Sequence, residues 1–167
     1  MLKKILLVLL IILVVIQFFH PKKNRSAGPS PNNIAAVYTV PDSVRQVLAV
    51  ACNDCHSNNT RYPWYNNLQP VAWWMAGHVN DGKKELNFDE FKTFTPRRQY
   101  NKMKSLVREI KEDGMPLDSY TLIHKDAVLS PAQKQLLISW AEDIQHQMEK
   151  AYPPDSLAKK PARPGAH

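Results

Sequence analysis

Cys52-Asn53-Asp54-Cys55-His56 contains the only two cysteines of the 167-residue chain. Its form, C-x-x-C-H, is that of a c-type haem attachment site. Two intervening residues set the sulfurs at the separation of two vinyl groups, and the adjacent imidazole can then reach the iron. A chain carrying that motif must fold around a flat apolar disc. Other readings of the pair fit less well. A zinc ribbon needs four ligands, and neither a second cysteine pair nor H-x(3–5)-H follows. A thioredoxin-like motif needs a βαβ context, which the surrounding pattern lacks. One such motif implies one covalent haem c.

Lys3 and Lys4 precede an apolar run from Ile5 to Ile16. Gln17 interrupts it, Phe18 and Phe19 extend it, and Pro21-Lys22-Lys23 closes it. A basic stretch followed by a short apolar one is the form of an export signal. Ile5–Phe19 would span about 22 Å at a rise of ~1.5 Å per residue, short of the ~30 Å hydrocarbon core. Phe18, Phe19 and snorkelling lysines can extend that reach. No small-x-small cleavage site follows the run. Residues 1–20 are therefore expected to form a retained membrane anchor helix, with cleavage and a secreted periplasmic domain as the alternative. Covalent haem is, as a class property, attached after export. The domain is accordingly expected to face the periplasm from the inner membrane.

Net charge is +7, which can suggest nucleic acid. The excess lies in the tails, however. Residues 1–25 carry +5, residues 151–167 carry +2, and residues 26–150 are balanced. Nucleic-acid binding is excluded on that distribution.

Composition divides the chain further. Residues 21–40 are rich in Pro, Ser and Asn without periodicity and read as a linker. Residues 41–150 form one small domain, and residues 151–167 read as a disordered Pro/Lys-rich tail. Within the domain every strong pattern is helical. Asp42 or Ser43 can cap a helix with Val44, Val47, Leu48 and Ala51 on one face. A second helix is expected from Pro70 to about Val79, ended by Asp81-Gly82. Thr95-Pro96 and Ser130-Pro131 each give a cap followed by proline at the first helical position. The helices they start end at Asp113-Gly114 and before Pro153. The expected architecture is all-α: a small cytochrome c-like domain of four main helices around one covalent haem, preceded by the anchor helix.

The sixth iron ligand separates electron transfer from small-molecule chemistry. His56 is the expected proximal ligand. Met115 is the first candidate for the opposite side, because Gly114-Met115-Pro116 breaks two helices about 60 residues after His56. His78, within Trp73-Trp74-Met75-Ala76-Gly77-His78, is the alternative, and an open site is the third. Met75, Met103 and Met148 read as packing. Trp64, Trp73, Trp74, Tyr62 and Tyr65 are expected to line the haem pocket and core, with a redox-partner docking patch as the other reading. Arg61 can pair a haem propionate or stay solvated.

Residues 45–146 resemble the haem-binding domain family of small, membrane-anchored, single-haem c-type cytochromes. The resemblance lies in Cys52–His56, Tyr62-Pro63-Trp64-Tyr65, Pro70, Trp73-Trp74, His78, Gly82 and Leu86-Asn87-Phe88. It continues through Gly114-Met115-Pro116-Leu117, Tyr120, His124, Leu129-Ser130 and Trp140. It implies haem c on Cys52 and Cys55, with His56 axial and Met115 its partner. Family members often carry Arg where this chain has Lys83. The expected function is periplasmic electron transfer with an unidentified redox partner protein. The alternative is a haem enzyme, or a gas- or peroxide-responsive domain with a displaceable distal ligand.

Overall fold

The computed structural model describes residues 1–157. Among them there is no strand; the described chain is a succession of α-helices joined by turns and by longer segments that carry 3-10 helices. Helix α1 spans Leu2–Ile16, α2 Asp42–Ala51 and α3 Asn53–His56. Then come α4 at Val71–Glu85, α5 at Pro96–Lys111 and α6 at Asp118–Thr121. Helices α7 at Pro131–Ala151 and α8 at Pro154–Leu157 complete the described residues.

Local chemistry explains the main boundaries. Thr95 accepts from the Arg98 amide at the start of α5. Ser130 and Gln133 form a reciprocal capping box at the start of α7, which satisfies two otherwise orphaned amides. Helix α5 ends as Asp113 enters the left-handed region at φ +56°, and the Gly114 amide returns to the Glu109 carbonyl at 2.8 Å.

Helices α5 and α7 form the central pair. Met103, Val107 and Ile110 meet Leu137, Ala141, Ile144 and Met148 in one buried cluster. Each such side chain contributes about 1.5–3 kcal/mol through burial. Met103 and Met148 are core residues, as their helical spacing indicates. Helix α2 adds Val44, Val47 and Leu48, and the Trp140 indole donates to the Thr39 carbonyl at 3.0 Å.

Three boundaries differ from the sequence expectation. Residues 21–40 are no free linker, because Ile34 is only 2% exposed and belongs to the core. Asn24, Asn32 and Asn33 hydrogen-bond to Ser57, Glu90 and Asp89. Helix α4 does not stop at Gly82 but continues to Glu85. The expected disordered tail begins instead with α8, whose Leu157 is buried; residues 158–167 lie outside the described residues.

The N-terminal segment does form a helix, but of 15 residues. No helix among the described residues is long and apolar enough to cross a membrane. Helix α1 ends where Gln17 exchanges hydrogen bonds with Gln69, through its amide NH2 to the Gln69 carbonyl and its oxygen from the Gln69 amide.

Candidate haem-binding site

The C-x-x-C-H segment is nearly continuous with α2. The Cys52 amide bonds to the Leu48 carbonyl, and the His56 amide bonds to the Cys52 carbonyl at 3.0 Å. This turn places both thiols and the imidazole on one wall. Cys52 and Cys55 are free rather than paired as a disulfide. Burial pushes the Cys52 thiol up to about 12, and burial with the neighbouring Asp54 pushes Cys55 up to about 11. Both are protonated at neutral pH, unlike the thiolates that serve as metal ligands.

His56 is oriented by its second ring nitrogen. Nδ1 lies 2.8 Å from the Leu86 carbonyl, so Nδ1 carries the proton and Nε2 presents its lone pair. A ligating imidazole needs this tautomer. Burial holds the His56 pKa below its ordinary 6.5, against the hydrogen bonds to Leu86 and Gly82. The folded value lies below the unfolded one, so this contribution is present above pH 6.5 and lost as pH falls. The haem-free chain should therefore lose thermal stability on acidification from about pH 7 to about pH 5. His56→Gln should flatten that dependence in a series of melting curves; an unchanged slope would refute the assignment.

Two adjoining cavities of about 350 and 320 Å³ open beside this wall. Cys52, His56, Glu85, Met115 and Pro116 line both. The first is walled by Leu48, Phe88, Leu106, Ile110, Leu129 and Leu137. The second adds Cys55, His78, Gly82 and Tyr120. Each volume falls in the range of cofactor pockets. Apolar walls, two thiols, one correctly protonated imidazole and a thioether on the same cavities suit a haem. Lys102 and Arg108 also reach the first cavity. They are cations suited to carboxylates at its rim, where Lys102 binds Glu85 at 2.8 Å and Arg108 binds Glu109 at 2.7 Å. Sequence reasoning missed both; their six-residue spacing along α5 marks no obvious face.

Met115 reaches the cavity because α5 ends as it does. Its amide returns to the Glu109 carbonyl, and α6 then ties the loop down. Tyr120 donates to Asp54 Oδ2 at 2.7 Å and to the Val50 carbonyl at 3.2 Å. His78 borders the second cavity, with its ring on Trp74 at 4.3 Å and Nδ1 near the Trp74 carbonyl.

Six expected pocket residues, Arg61, Tyr62, Trp64, Tyr65, Trp73 and Trp74, line neither cavity. Arg61 is committed to buried Asp54, through Nε at 3.2 Å and a terminal nitrogen at 3.1 Å, so it holds the attachment turn rather than a propionate. Trp64 and Trp73 are exposed and line neither cavity. Lys83 donates to Asn24 at 2.6 Å, away from the thiols. Asp54 and Tyr120 were the overlooked structural pair, and the position of Asp54 between the cysteines was its only local signal.

Helix α4 comes unusually close to the attachment turn. A Cβ at Gly82 would sit 2.7 Å from the Cys55 carbonyl oxygen and 2.9 Å from its Cβ. Glycine is therefore required there by contact rather than by conformation.

Comparison with the curated proteins and with the solved structures returned no match. The family model of the haem-binding domain matches residues 11–143, most of the chain, including every residue on the cavity walls. The match covers the cavity beside Cys52, Cys55 and His56, and by it the chain belongs to the haem-binding domain family.

Proposed function

We propose that this protein is an electron-transfer cytochrome in which Cys52 and Cys55 would bind one haem c and His56 and Met115 would ligate its iron. The observation that carries the reading is that Met115 lines the same two cavities as Cys52 and His56. Bound there, the haem supplies a one-electron Fe(III)/Fe(II) couple, and a His/Met pair raises its potential. The chain's residues do the rest. Leu86 fixes the His56 tautomer, the apolar walls exclude water, and the Asp54–Tyr120 bond holds the Met115 loop over the attachment turn. Helix α1 attaches the chain to the membrane, and the domain works outside the cytoplasm.

The test is a set of absorption spectra. Oxidised wild-type protein should be low-spin with a sulfur-to-iron charge-transfer band. Met115→Ala should lose that band while keeping covalent haem on a denaturing gel. An unchanged oxidised spectrum would exclude Met115 as ligand. His78 supports a second reading, because it borders the cavity that Met115 shares. Rapid carbon monoxide binding to reduced wild-type protein would favour that reading, a displaceable distal ligand, over electron transfer.

A further inference from the structure

The aromatic residues that fail to line the cavity form a surface of their own. Trp64 is 76% exposed, Trp73 43% and Trp74 51%, whereas Trp140 is 6% exposed within the core. Leu68, Phe18 and Phe19 are exposed as well. The continuity is structural. Trp64 and Leu68 flank the short 3-10 turn Trp64–Asn67, which packs on α4, and Trp73 and Trp74 occupy the first turn of that helix. Gln69 lies between them and clamps the end of α1, donating to the Phe19 carbonyl at 2.6 Å. His20 Nε2 lies 3.1 Å from the Asn67 carbonyl. The aromatic surface thus begins where the apolar helix ends.

Such a surface is costly in water. A large aromatic side chain carries about 150–250 Å² of area, and soluble monomers rarely expose contiguous apolar patches of more than a few hundred Å². Its composition points to one occupant. Trp combines an apolar body with a polar N–H and concentrates at the headgroup level of bilayers. Lys22, Lys23 and Arg25 follow directly, Lys23 bonding to Asn67 at 3.2 Å. A basic cluster beside an aromatic one matches an anionic lipid surface.

We infer that Phe18, Phe19, Trp64, Leu68, Trp73 and Trp74 form a collar that seats the domain on the headgroup layer of an anionic phospholipid bilayer around α1. The collar also accounts for the short helix. Fifteen residues span about 22 Å, which leaves ~8 Å of a ~30 Å hydrocarbon core unmatched. Aromatic side chains entering the interface at one end, with Lys3 and Lys4 snorkelling at the other, reduce that mismatch. Seating also orients the redox centre. Trp74 lies against His78, ring centroids 4.3 Å apart and tilted by 48°, and His78 borders the cavity shared by Cys55 and Met115. That side of the cavity then lies within a few helical turns of the membrane plane. The inference rests on the membrane attachment of α1, and on no property of the iron.

The experiment uses the full haem-loaded chain carrying fluorotryptophan, in bilayers of phosphatidylethanolamine and phosphatidylglycerol. Four fluorine resonances are assigned by replacing each Trp with Phe in turn. Lipids with a nitroxide near the headgroup should broaden Trp64, Trp73 and Trp74 several-fold more than Trp140, and a water-soluble gadolinium chelate should broaden them little. Vesicle flotation is read on the same sample. Flotation with the three residues open to the chelate and untouched by the nitroxide lipid would overturn the collar and leave the α1 attachment standing. Protection from both reagents would assign the face to a protein, a second copy included, and overturn the lipid reading. Failure to float would overturn both. Linear dichroism of aligned bilayers should show a single haem orientation for the wild type, and Trp64→Ser/Trp73→Ser/Trp74→Ser should still float but lose it.

Discussion

Asp54→Ala is expected to destabilise the domain by about 2–4 kcal/mol, because buried donors would lose their acceptor. Asp54 is buried within the attachment turn. Its oxygens accept from the Arg61 amide at 2.9 Å, the Arg61 guanidinium and the Tyr120 hydroxyl. The ion pair itself is the smaller part. The Arg61 side chain is largely in solvent, and pairs of that kind contribute roughly 0–1 kcal/mol. The larger part is the loss of the acceptor for the Arg61 amide and for Tyr120, whose hydroxyl is held above its usual pKa by burial and by Asp54. A functional consequence follows. Tyr120 anchors α6, which follows Met115 directly, so Asp54→Ala should also weaken the sulfur-to-iron band. Tyr120→Phe should reproduce a smaller share, about 1 kcal/mol, and Asp54→Asn, which keeps one carbonyl oxygen, should fall between. Urea unfolding of the haem-loaded variants measures all three. A change for Asp54→Ala within about 0.5 kcal/mol of wild type would remove the network from the account.

Much of this fold was legible because its main helices announce themselves locally. Thr95-Pro96 and Ser130-Pro131 are caps whose hydrogen bonds run within four residues. The apolar spacings of α2, α5 and α7 describe faces that a single core can bury. Cys52, Cys55 and His56 share one turn, so their proximity follows from spacing. What failed to show was decided at long range. Asn24, Asn32 and Asn33 look like linker composition, yet their side chains satisfy loops some 30 to 60 residues away. Trp64 and Trp73 read as pocket lining because aromatics are usually buried, and nothing local records that the fold leaves them exposed. Arg61 reads as an anion binder, and only the folded turn shows that the anion is its own Asp54. Met115 was singled out by its break between helices. The structure places it on the cavity, but through a return to Glu109 that no pattern marks.

Two glycines of α4 provide the second test, and their expected effects have opposite signs. Asp81-Gly82 carries the usual signal of a helix end, but α4 continues through it. The reason for glycine is the attachment turn, since a Cβ at Gly82 would meet the Cys55 carbonyl oxygen at 2.7 Å and its Cβ at 2.9 Å. Both obstacles belong to the backbone or its first side-chain atom, so no flexible side chain can swing aside. Gly82→Ala must push α3 from α4, and overpacking of that kind costs about 1–3 kcal/mol. Moving α3 also moves Cys55 and His56, which it carries, relative to Met115. The yield of covalent haem should therefore fall along with stability. Gly77 is one and a half turns earlier on the same helix, and a Cβ there meets nothing within 4 Å. Gly77→Ala should stabilise by about 0.5–1 kcal/mol through helix propensity alone, with haem yield unchanged. Thermal melting and a haem-stained gel of the two variants decide the matter. If Gly82→Ala behaves like Gly77→Ala, the close approach of α4 to the thiols is not what that glycine provides. If the two diverge as expected, Gly82 is the point at which helix packing sets the geometry of haem attachment.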